Sequence, residues 1–368
     1  MNIAIDGHMI GERESGNETY ALNLLRGLAG LPADGNHYAV LTPRPQALRD
    51  RVSLPDDFQI LRVWPATSVL RIPLGMPLAI RAARCDLLHV TYIAPPRPGC
   101  PTIVTVHDLS YLAHPEWLSA RVRFVLSTLV ARSVRAAARV IAISDFTKQD
   151  LVARYGLAPD KIAVVPLAAG MEFAPLPDAA SRPLPGGVRE PFILGVGNLE
   201  PRKNLATLID AFAELVRLRS FAGQLVIAGK AKYRSQEAAG AVARLGLEDR
   251  VVFTGFVDDA TLRILYNRAA LFVYPSLYEG FGLPLLEAMA SGCPVVANQA
   301  TAIPETAGDA AILVDASSAA KLAQAMARVL GDPDLARGLS RKGLARASMF
   351  SWLRTAELTR RVYEDSLA

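Results

Sequence analysis

The chain has 368 residues, of which 51% are hydrophobic, and 40 Lys and Arg residues against 35 Asp and Glu residues give it a formal net charge of +5. A chain of this size can bury more than one core, and ordinary domain sizes favour two domains. The charge is mild and there is no basic arm, which argues against a nucleic-acid partner, and no apolar run approaches the roughly 20 residues of a spanning helix. Because the N-terminus MNIAIDGHMIGERESG reads as a short strand followed by polar residues, and not as a signal peptide, we expect a cytoplasmic protein.

The N-terminal half alternates short apolar runs with helical patterns, which predicts βαβ units on a parallel sheet. The strands are expected at Ile3 to Ile5, Tyr38 to Leu41, Leu87 to Val90, Thr102 to Val106 and Arg139 to Ile143. The helices are expected at Glu18 to Ala29, Leu118 to Ala138 and Thr147 to Tyr155.

The segment from Pro175 to Pro191 is rich in proline and glycine and has no period, which indicates a linker between two domains. A second βαβ series follows it. Its strands are expected at Phe192 to Gly195, Gln224 to Ala228, Val251 to Thr254, Leu271 to Tyr274 and Pro294 to Ala297. Its helices are expected at Leu205 to Leu218 and Ala260 to Arg268, and the chain ends in an amphipathic helix from Ser351 to Leu367.

The first strand of the second half leads into GVGNLEPRKN, residues 195–204. A dinucleotide-binding fingerprint would need glycine where this chain has Glu200, so the pattern does not fit a dehydrogenase. Instead, Arg202 and Lys203 come just before a helix N-terminus, where the backbone adds positive potential. These features predict a pyrophosphate site; the alternative is an ordinary solvated helix start.

The segment YPSLYEGFGLPLLEAMASGCP, residues 274–294, places Glu279 and Glu287 eight residues apart around a glycine-rich turn that opens a helix. Eight helical residues would rise by roughly 12 Å, more than the roughly 5 to 9.5 Å between the carboxylates of a glycoside hydrolase. We therefore expect the pair to hold two ends of an elongated ligand. The backbone N–H groups of residues 280–282 would lie between them.

The string E-G-F-G-L-P-x-x-E followed by A-x-x-S-G-x-P-V-V-A resembles the signature of the retaining nucleotide-sugar glycosyltransferases of family 4, and further segments agree with that family along nearly the whole chain. The resemblance implies the GT-B fold, in which two doubly wound Rossmann-like α/β domains face each other across a cleft. It places an acceptor-side domain at residues 1–182 and a nucleotide-sugar-binding domain at residues 190–350. The last helix, residues 351–368, would pack back on the first domain.

The resemblance also implies roles for individual residues. Arg202 and Lys203 would stabilise the leaving diphosphate, Glu287 would bind the ribose, and Glu279 and His107 would contact the transferred sugar. The residues expected at the donor are Gly16, Asn198, Gly255, Phe256, Val257, Gly280, Phe281, Gly282, Leu283 and Glu287. For His107 and the loop of residues 255–257, a purely structural role is the alternative, and Glu287 could simply be surface exposed.

The first loop, GHMIGERESGNETY, departs from the family pattern, because Glu18 stands near a position where a basic residue is frequent. Gly16 still allows the backbone to approach a ligand. We therefore do not expect the anionic-acceptor recognition of the family to carry over. The cysteines, Cys85, Cys100 and Cys293, lack the paired spacing of a zinc or redox site, so we expect free thiols and neither metal nor cofactor.

The expected activity is metal-independent, retaining transfer of a hexose, first of all mannose from GDP-mannose, to a sugar or lipid-linked sugar acceptor in cell-surface polysaccharide synthesis. The alternatives are a UDP-sugar donor, a nucleotide-sugar-binding scaffold without activity, and a sugar epimerase. Residues 120–139 carry five arginines in an apolar helical pattern. This pattern indicates either peripheral contact with the inner membrane face or a core helix with solvated arginines.

Overall fold

The computed structural model describes residues 1–12, 15–33, 35–230 and 236–367. Its contacts divide the chain into two compact units. Unit 1 comprises Met1–Leu167 and Ser351–Ala368, and unit 2 comprises Ala168–Phe350.

Each unit is a parallel α/β sheet with helices between most of its successive strands. The strands in the described part are β1 Asn2–Asp6, β2 His37–Thr42, β3 Phe58–Arg62, β4 Leu87–Thr91, β5 Thr102–Val106, β6 Arg139–Ala142, β7 Ile162–Val164, β8 Phe192–Val196, β9 Gln224–Ala228, β10 Val251–Gly255, β11 Leu271–Tyr274, β12 Val295–Asn298 and β13 Ile312–Val314.

The helices are numbered in the same way over the described residues. They are α1 Ser15–Ala29, α2 Pro45–Arg49, α3 Ser68–Leu70, α4 Met76–Ala82, α5 Ser110–Ala113, α6 Ala120–Ala136, α7 Asp145–Tyr155, α8 Leu205–Arg217, α9 Gln236–Leu245, α10 Asp259–Arg268, α11 Leu283–Ala290, α12 Ile303–Ala307, α13 Ala319–Gly331, α14 Pro333–Ala347 and α15 Trp352–Asp365. A π-helical turn at Arg71–Gly75 joins α3 to α4. No helix among the described residues is long and apolar enough to cross a bilayer.

Both sheets are doubly wound. The described strands of unit 1 run in the order β3-β2-β1-β4-β5-β6-β7, and those of unit 2 in the order β10-β9-β8-β11-β12-β13. Every pairing is parallel. The order therefore reverses between β1 and β4 in unit 1 and between β8 and β11 in unit 2, and ligands bind at such switch points in open α/β sheets.

Helix α15 belongs to unit 1, where it packs against α1. His89 lies on β4 beneath this pair and is fully buried, and its two ring nitrogens are hydrogen-bonded to Tyr363 Oη and Thr105 Oγ1, both at 2.7 Å. The hydroxyl of Tyr20 on α1 completes the network at 3.0 Å from Thr105 Oγ1. Burial lowers the pKa of His89 to about 3, so its imidazole is a neutral structural group that ties both helices to the sheet.

The boundary between the units falls between Leu167 and Ala168, earlier than the linker that the sequence indicates. The proline-rich segment is bonded to unit 2 at both of its ends. The Leu176 N–H donates to Asn267 Oδ1 at 2.7 Å, and Arg268 Nε donates to Glu190 Oε1 at 2.8 Å. The segment contains one short 3-10 turn, Ala179–Ser181, and its hydrogen bonds make it part of unit 2 and not an unattached linker.

The strands and helices predicted in both halves are confirmed to within a few residues at their ends. The segment from β3 to α4 was missed. Pro65, Pro73 and Pro77 interrupt its hydrophobic period, and a π-helical turn adds to the irregularity. Tertiary packing nevertheless makes it helical, because Met76 and Ile80 are buried in the core of unit 1.

Gly27 tests the packing of α15 on α1. A Cβ at this position would lie 2.5 Å from the carbonyl oxygen of Trp352, so we expect Gly27→Ala to destabilise unit 1 by about 1–3 kcal/mol through overpacking. Gly240→Ala is the matched control, because this helical glycine has open space around it and alanine there should stabilise by about 0.5–1 kcal/mol. Urea unfolding followed by far-UV circular dichroism, which reports on both units, measures both, and equal midpoints would contradict the close contact.

Candidate active site

The two conspicuous motifs of the second half meet at the switch point of the unit 2 sheet. The loop after β8 leads into a short 3-10 turn, Pro201–Lys203, and the loop after β11 leads to Glu279. Because β8 and β11 are neighbours and parallel, their carboxyl ends lie side by side. The backbone N–H of Leu277 donates to the carbonyl of Arg202 at 2.9 Å and joins the two loops directly.

The carboxylate of Glu279 is shared by both cations. Its Oε2 accepts a hydrogen bond from Arg202 Nη1 at 2.8 Å, and its Oε1 accepts one from Lys203 Nζ at 2.6 Å. Arg202 also contacts Glu200 Oε1 at 3.0 Å and the carbonyl of Tyr278 at 3.1 Å. The pair predicted to bind a diphosphate is therefore not an ordinary solvated helix start but part of a hydrogen-bonded ion cluster.

Burial and charge act in opposite directions on this cluster. Burial by itself would raise the pKa of Glu279, but Arg202 and Lys203 outweigh it and lower the pKa to about 2. Burial also lowers the pKa of Lys203, and Glu279 opposes that shift. The cluster is held in its charged form, and two cations share one buried carboxylate.

Asn204 fixes the turn that carries Arg202 and Lys203. This residue takes a left-handed conformation, with φ 54°, and its amide donates to the carbonyls of Pro275 and Ala316 at 3.2 and 2.8 Å. The stem of Lys203 runs across Gly197, where a Cβ would lie about 3.0 Å from the lysine chain. Glycine at the end of β8 therefore leaves room for Lys203 to reach Glu279.

Glu287 lies within α11 and is buried, so the surface alternative is wrong. Its Oε2 accepts a hydrogen bond from the hydroxyl of Tyr266 at 3.1 Å. Burial raises the pKa of Glu287 to about 8, with Asp259 and Glu172 adding repulsion and the Tyr266 bond opposing. A carboxyl that is easily protonated can both donate and accept hydrogen bonds, which suits an environment of hydroxyl groups.

The turn between the two glutamates opens α11. Gly282 precedes the helix in a left-handed conformation, with φ 100°, and Leu283 begins it. The first N–H groups of a helix have no acceptor within it, so the start of α11 offers donors at the switch point. The side chain of Phe281 is buried against Phe350 and its carbonyl accepts from Thr306 at 2.6 Å, which anchors the turn. Gly280 is buried in the same turn.

A third loop borders the same edge of the sheet. Asn198 Oδ1 accepts the backbone N–H of Lys230 at 3.3 Å, which connects the ends of β8 and β9. Gly255, Phe256 and Val257 follow β10 as expected, and Phe256 is 55% exposed with Lys230 Nζ 4.7 Å from its ring centroid. Lys230 was not among the residues expected at the donor, although a lysine directly after a strand and a glycine could have pointed to it.

In unit 1, His107 follows β5 and is buried. Its Nε2 has no hydrogen-bond partner among the described residues, and its ring lies edge-on to Tyr20 with centroids 4.7 Å apart. Burial lowers its pKa to about 4, partly offset by Asp108, so the imidazole is neutral near pH 7. An unsatisfied buried nitrogen at a strand end is what a sugar-binding histidine would present, and that role stays a prediction.

The structure of the first loop shows where the charge of Glu18 lies. Glu18 is buried, and its Oε1 accepts from the Gly11 N–H at 2.9 Å and from Arg51 Nη1. Its charge is therefore compensated inside unit 1 and is not presented to a ligand. Gly16 lies at a kink in α1 and is exposed. Arg13 and Glu14 of the same loop lie outside the described residues.

The cysteines are free thiols, with Cys293 buried and the other two partly buried. Within the described ranges, no group of three or more His, Cys, Asp or Glu side chains is arranged to hold a metal ion.

Two family models match the chain. The model for Glycosyl transferases group 1 covers residues 180–346, which contain the ion cluster and α11. The model for Glycosyltransferase Family 4 covers residues 15–169, which make up most of unit 1.

Several curated proteins of known name are similar in sequence. An O-antigen chain mannosyltransferase B of Escherichia coli is 32% identical over 68% of this chain and 66% of its own length. A serotype-specific mannosyltransferase WbdA of the same organism is 33% identical over 70% of this chain and 32% of its own length. A D-inositol 3-phosphate glycosyltransferase of Acidothermus cellulolyticus is 32% identical over 77% and 68%. The chain thus spans between about a third and two thirds of the length of these relatives.

The fold has solved counterparts. The Anabaena protein HepE, solved in complex with UDP-glucose, superposes with a TM-score of 0.75 over 99% of this chain and 100% of that protein, at 19% identity. At this identity the likeness concerns the fold.

The ion cluster makes a prediction about stability. Glu279→Gln leaves Lys203 buried without its counter-charge, so we expect a loss of about 3 kcal/mol or more in the free energy of unfolding. Adding Lys203→Met should recover part of that loss, because the uncompensated charge is then gone. Glu200→Gln is the control, because Glu200 is more exposed. This substitution should lower the free energy of unfolding by less than about 1 kcal/mol. A double variant less stable than Glu279→Gln would contradict this account of the cluster.

Glu287 makes a prediction about pH. Its folded pKa is near 8, against 4.5 for an ordinary glutamate, so its contribution to stability is present at low pH and is lost as the pH rises through about 8. Glu287→Gln removes this titration, so the stability of the variant relative to the native chain should rise between pH 5 and pH 8 by up to about 1.4 kcal/mol per pH unit. Denaturant unfolding at several pH values measures the difference; parallel pH profiles would show that the carboxyl is not perturbed.

Proposed function

Because the chain belongs to glycosyltransferase family 4, we propose that it transfers mannose from GDP-mannose to a sugar or lipid-linked sugar acceptor in cell-surface polysaccharide synthesis. Its two doubly wound units are those of the GT-B fold. The observation that carries the proposal is the convergence of Arg202 and Lys203 on the buried carboxylate of Glu279 at the switch point of unit 2. The names of the two Escherichia coli relatives support mannose as the transferred sugar.

Breaking the bond between sugar and phosphate places negative charge on the departing diphosphate. Arg202 is 22% exposed in its side chain and remains accessible to a ligand, whereas Lys203 is 9% exposed and acts from beneath. Arginine can hold two oxygens at once and lysine acts as a compact point charge. Fixed cations in a partly dry site stabilise such charge without reorganising when it forms.

Glu279 acts on both cations in this proposal. Its two oxygens hold both cations in place, so their positive charge is organised before the donor arrives. The contact with the transferred sugar that the sequence suggested would require a hydroxyl group to approach a carboxylate that already has two partners. We therefore place its main effect on the cations.

Glu287 would bind the ribose of the nucleotide through its hydroxyl groups. The residues Gly255, Phe256 and Val257 would contact the base, with Lys230 alongside. The N–H groups at the start of α11 would contact the transferred sugar, which agrees with the expectation for Gly280, Phe281, Gly282 and Leu283. Asn198 supports the loop that carries the diphosphate site.

Retention of the anomeric configuration follows a front-face path in this proposal, because the described part of the site presents no side chain that is an evident covalent nucleophile. Two side-chain cations can take the place of a metal ion at the diphosphate, which supports a metal-independent reaction. A UDP-sugar is the second donor, since the loop of residues 255–257 does not reveal the base. We also propose that the protein is cytoplasmic, with peripheral contact at the inner face of the membrane.

Turnover of the donor tests the proposal. We expect the protein to release GDP slowly from GDP-mannose in the presence of EDTA, with water as acceptor. Arg202→Ala should lower this rate by about 10²- to 10³-fold, because it removes charge stabilisation in the transition state. Arg217→Ala is the matched control, since Arg217 is an exposed arginine on α8 that pairs with Glu214 along its own helix.

The outcomes separate the alternatives. Release that stops in EDTA contradicts metal independence, and release from a UDP-sugar alone contradicts the choice of GDP-mannose. Binding of GDP-mannose without release would favour a scaffold, and conversion of the sugar without release would favour an epimerase. If Arg202→Ala behaves like Arg217→Ala, the diphosphate site is misplaced.

A further inference from the structure

Glu172 lies in unit 2 between Met171, which is 82% exposed, and Phe173, which is buried. Its own side chain is partly buried, and its carboxylate has no hydrogen-bond or ion-pair partner among the described residues. An ionised carboxylate can accept several hydrogen bonds. Glu172 therefore offers a hydrogen-bond acceptor that the fold itself does not use.

The loop around this residue is held against α10. The carbonyl of Ala174 accepts a hydrogen bond from Asn267 Nδ2 at 3.1 Å. The ring of Phe173 packs edge-on against the ring of Tyr266, with their centroids 5.8 Å apart. Because the hydroxyl of Tyr266 donates to Glu287, the loop packs on the same α10 residue that binds the Glu287 carboxyl.

Gly170 leaves room for the carboxylate of Glu172. The Phe173 N–H donates to the carbonyl of Gly170 at 3.0 Å, which closes a tight turn. A Cβ at residue 170 would lie 2.5 Å from Oε1 and 2.6 Å from Oε2 of Glu172. The missing Cβ therefore lets the carboxylate lie against the backbone of its own loop.

The charge of Glu172 acts on Glu287. Burial is the main cause that raises the pKa of Glu287 to about 8; Tyr266 and Lys203 oppose this shift, and Asp259 and Glu172 add to it. The side chain of Glu287 is 8% exposed, and only its Oε2 has a hydrogen-bond partner in the described part of the chain. Two neighbouring carboxyl groups do not ionise together easily, so Glu287 holds a proton more readily beside Glu172.

The hydroxyl groups of a vicinal diol fit such a pair. Each hydroxyl can donate one hydrogen bond and accept another, so it can bind either a carboxylate or a protonated carboxyl. Glu287 in its protonated form can donate to one hydroxyl, and the carboxylate of Glu172 can accept from the neighbouring one. A site that hydrogen-bonds a hydroxyl group discriminates against a ligand that lacks it, because the polar group of the site is then left without a partner.

We propose that Glu172 determines the specificity of the donor site for a ribonucleotide, by accepting a hydrogen bond from one hydroxyl of the ribose while Glu287 binds the other. The inference rests on the proposed function, because it takes the ribose to lie at Glu287. It adds a second carboxyl group to that subsite and gives the chain a means of rejecting deoxyribonucleotides.

Asp259 is the other acidic side chain whose charge raises the pKa of Glu287. It is exposed at the first residue of α10, where water hydrates it and the positive end of the helix stabilises it. Glu172 is more enclosed, and a hydrogen bond is stronger where less water competes for it. The structure therefore favours Glu172 as the second group at the ribose.

Isothermal titration calorimetry of the full chain with GDP, 2′-deoxy-GDP and 3′-deoxy-GDP tests the proposal. We expect the native chain to bind each deoxy analogue about 10- to 100-fold more weakly than GDP, because a hydrogen bond to a carboxyl group is lost in each case. Glu172→Ala should bind GDP and one of the two analogues with nearly equal affinity. It should still discriminate against the other analogue, whose missing hydroxyl is the one that Glu287 binds.

Glu248→Ala is the matched control, because Glu248 is an exposed glutamate at the amino edge of the same sheet, just before β10. It should discriminate like the native chain, and circular dichroism melting checks that each variant is folded. Discrimination that is unchanged in Glu172→Ala, or that is lost in Asp259→Asn instead, overturns the proposal.

The same titrations separate this inference from the proposed function. If the chain binds UDP and not GDP, UDP and its two deoxy analogues replace the guanine series with the same expectations. If neither GDP nor UDP binds, the proposed function fails and the role of Glu172 fails with it. Tight binding of GDP with equal affinity for both deoxy analogues overturns only the role of Glu172.

The coupling of the two carboxyl groups is measurable without a nucleotide. Glu172→Gln removes a repulsive charge and should lower the pKa of Glu287, so less stability is lost as the pH rises towards 8. The stability of this variant relative to the native chain should therefore rise between about pH 5 and pH 8 in denaturant unfolding. In a Glu287→Gln background the same substitution should have an effect that does not depend on pH. An effect that keeps its pH dependence there contradicts the coupling.

Discussion

The sharing of one buried carboxylate by two cations is the constraint on which the site in unit 2 depends. Glu279 and Lys203 are almost wholly buried, and the buried charge of Lys203 depends on the carboxylate of Glu279. Their pairing fixes the loop after β8 against the loop after β11. The same pairing sets the direction of Arg202, which keeps part of its surface open to a ligand. The same ion pairs thus determine both the electrostatics of the site and the positions of its loops.

The parallel, doubly wound sheets determine where this can happen. In each described sheet the strand order reverses once, and only there do the loops after neighbouring strands diverge and leave space. In unit 2 that position holds the ion cluster, with Glu287 of α11 nearby and protonated more readily than an ordinary glutamate. In unit 1 the analogous edge carries His107, a neutral imidazole with a buried nitrogen that lacks a partner. Both units therefore place buried polar groups with shifted pKa values near the carboxyl ends of their strands.

The sequence was informative wherever local pattern and burial agree. Apolar periodicity gave most of the described strands and just under half of the described helices, and the motif around Glu279 and Glu287 pointed to the candidate site. It was less informative for the segment from β3 to α4, where three prolines disturb the period and packing decides the conformation. It also could not show that Glu18 is neutralised by Arg51, because the partners are far apart in the chain. The domain boundary was displaced for a similar reason: a proline-rich segment with a single short 3-10 turn is bonded to the rest of unit 2 by Asn267 and Arg268.

By itself, the sequence determined the fold class, the family and the residue types available for holding a diphosphate, since these follow from periodicity, motif and side-chain chemistry. Only the tertiary structure decided how those residues are used. Adjacent cations at 202 and 203 could have pointed to water, and it is the neighbouring strand β11 that brings Glu279 within hydrogen-bonding distance of both. Likewise, apolar residues of α6 are core or surface according to what packs on them. Burial and charge pairing depend on residues distant in the chain, so they are properties of the folded molecule.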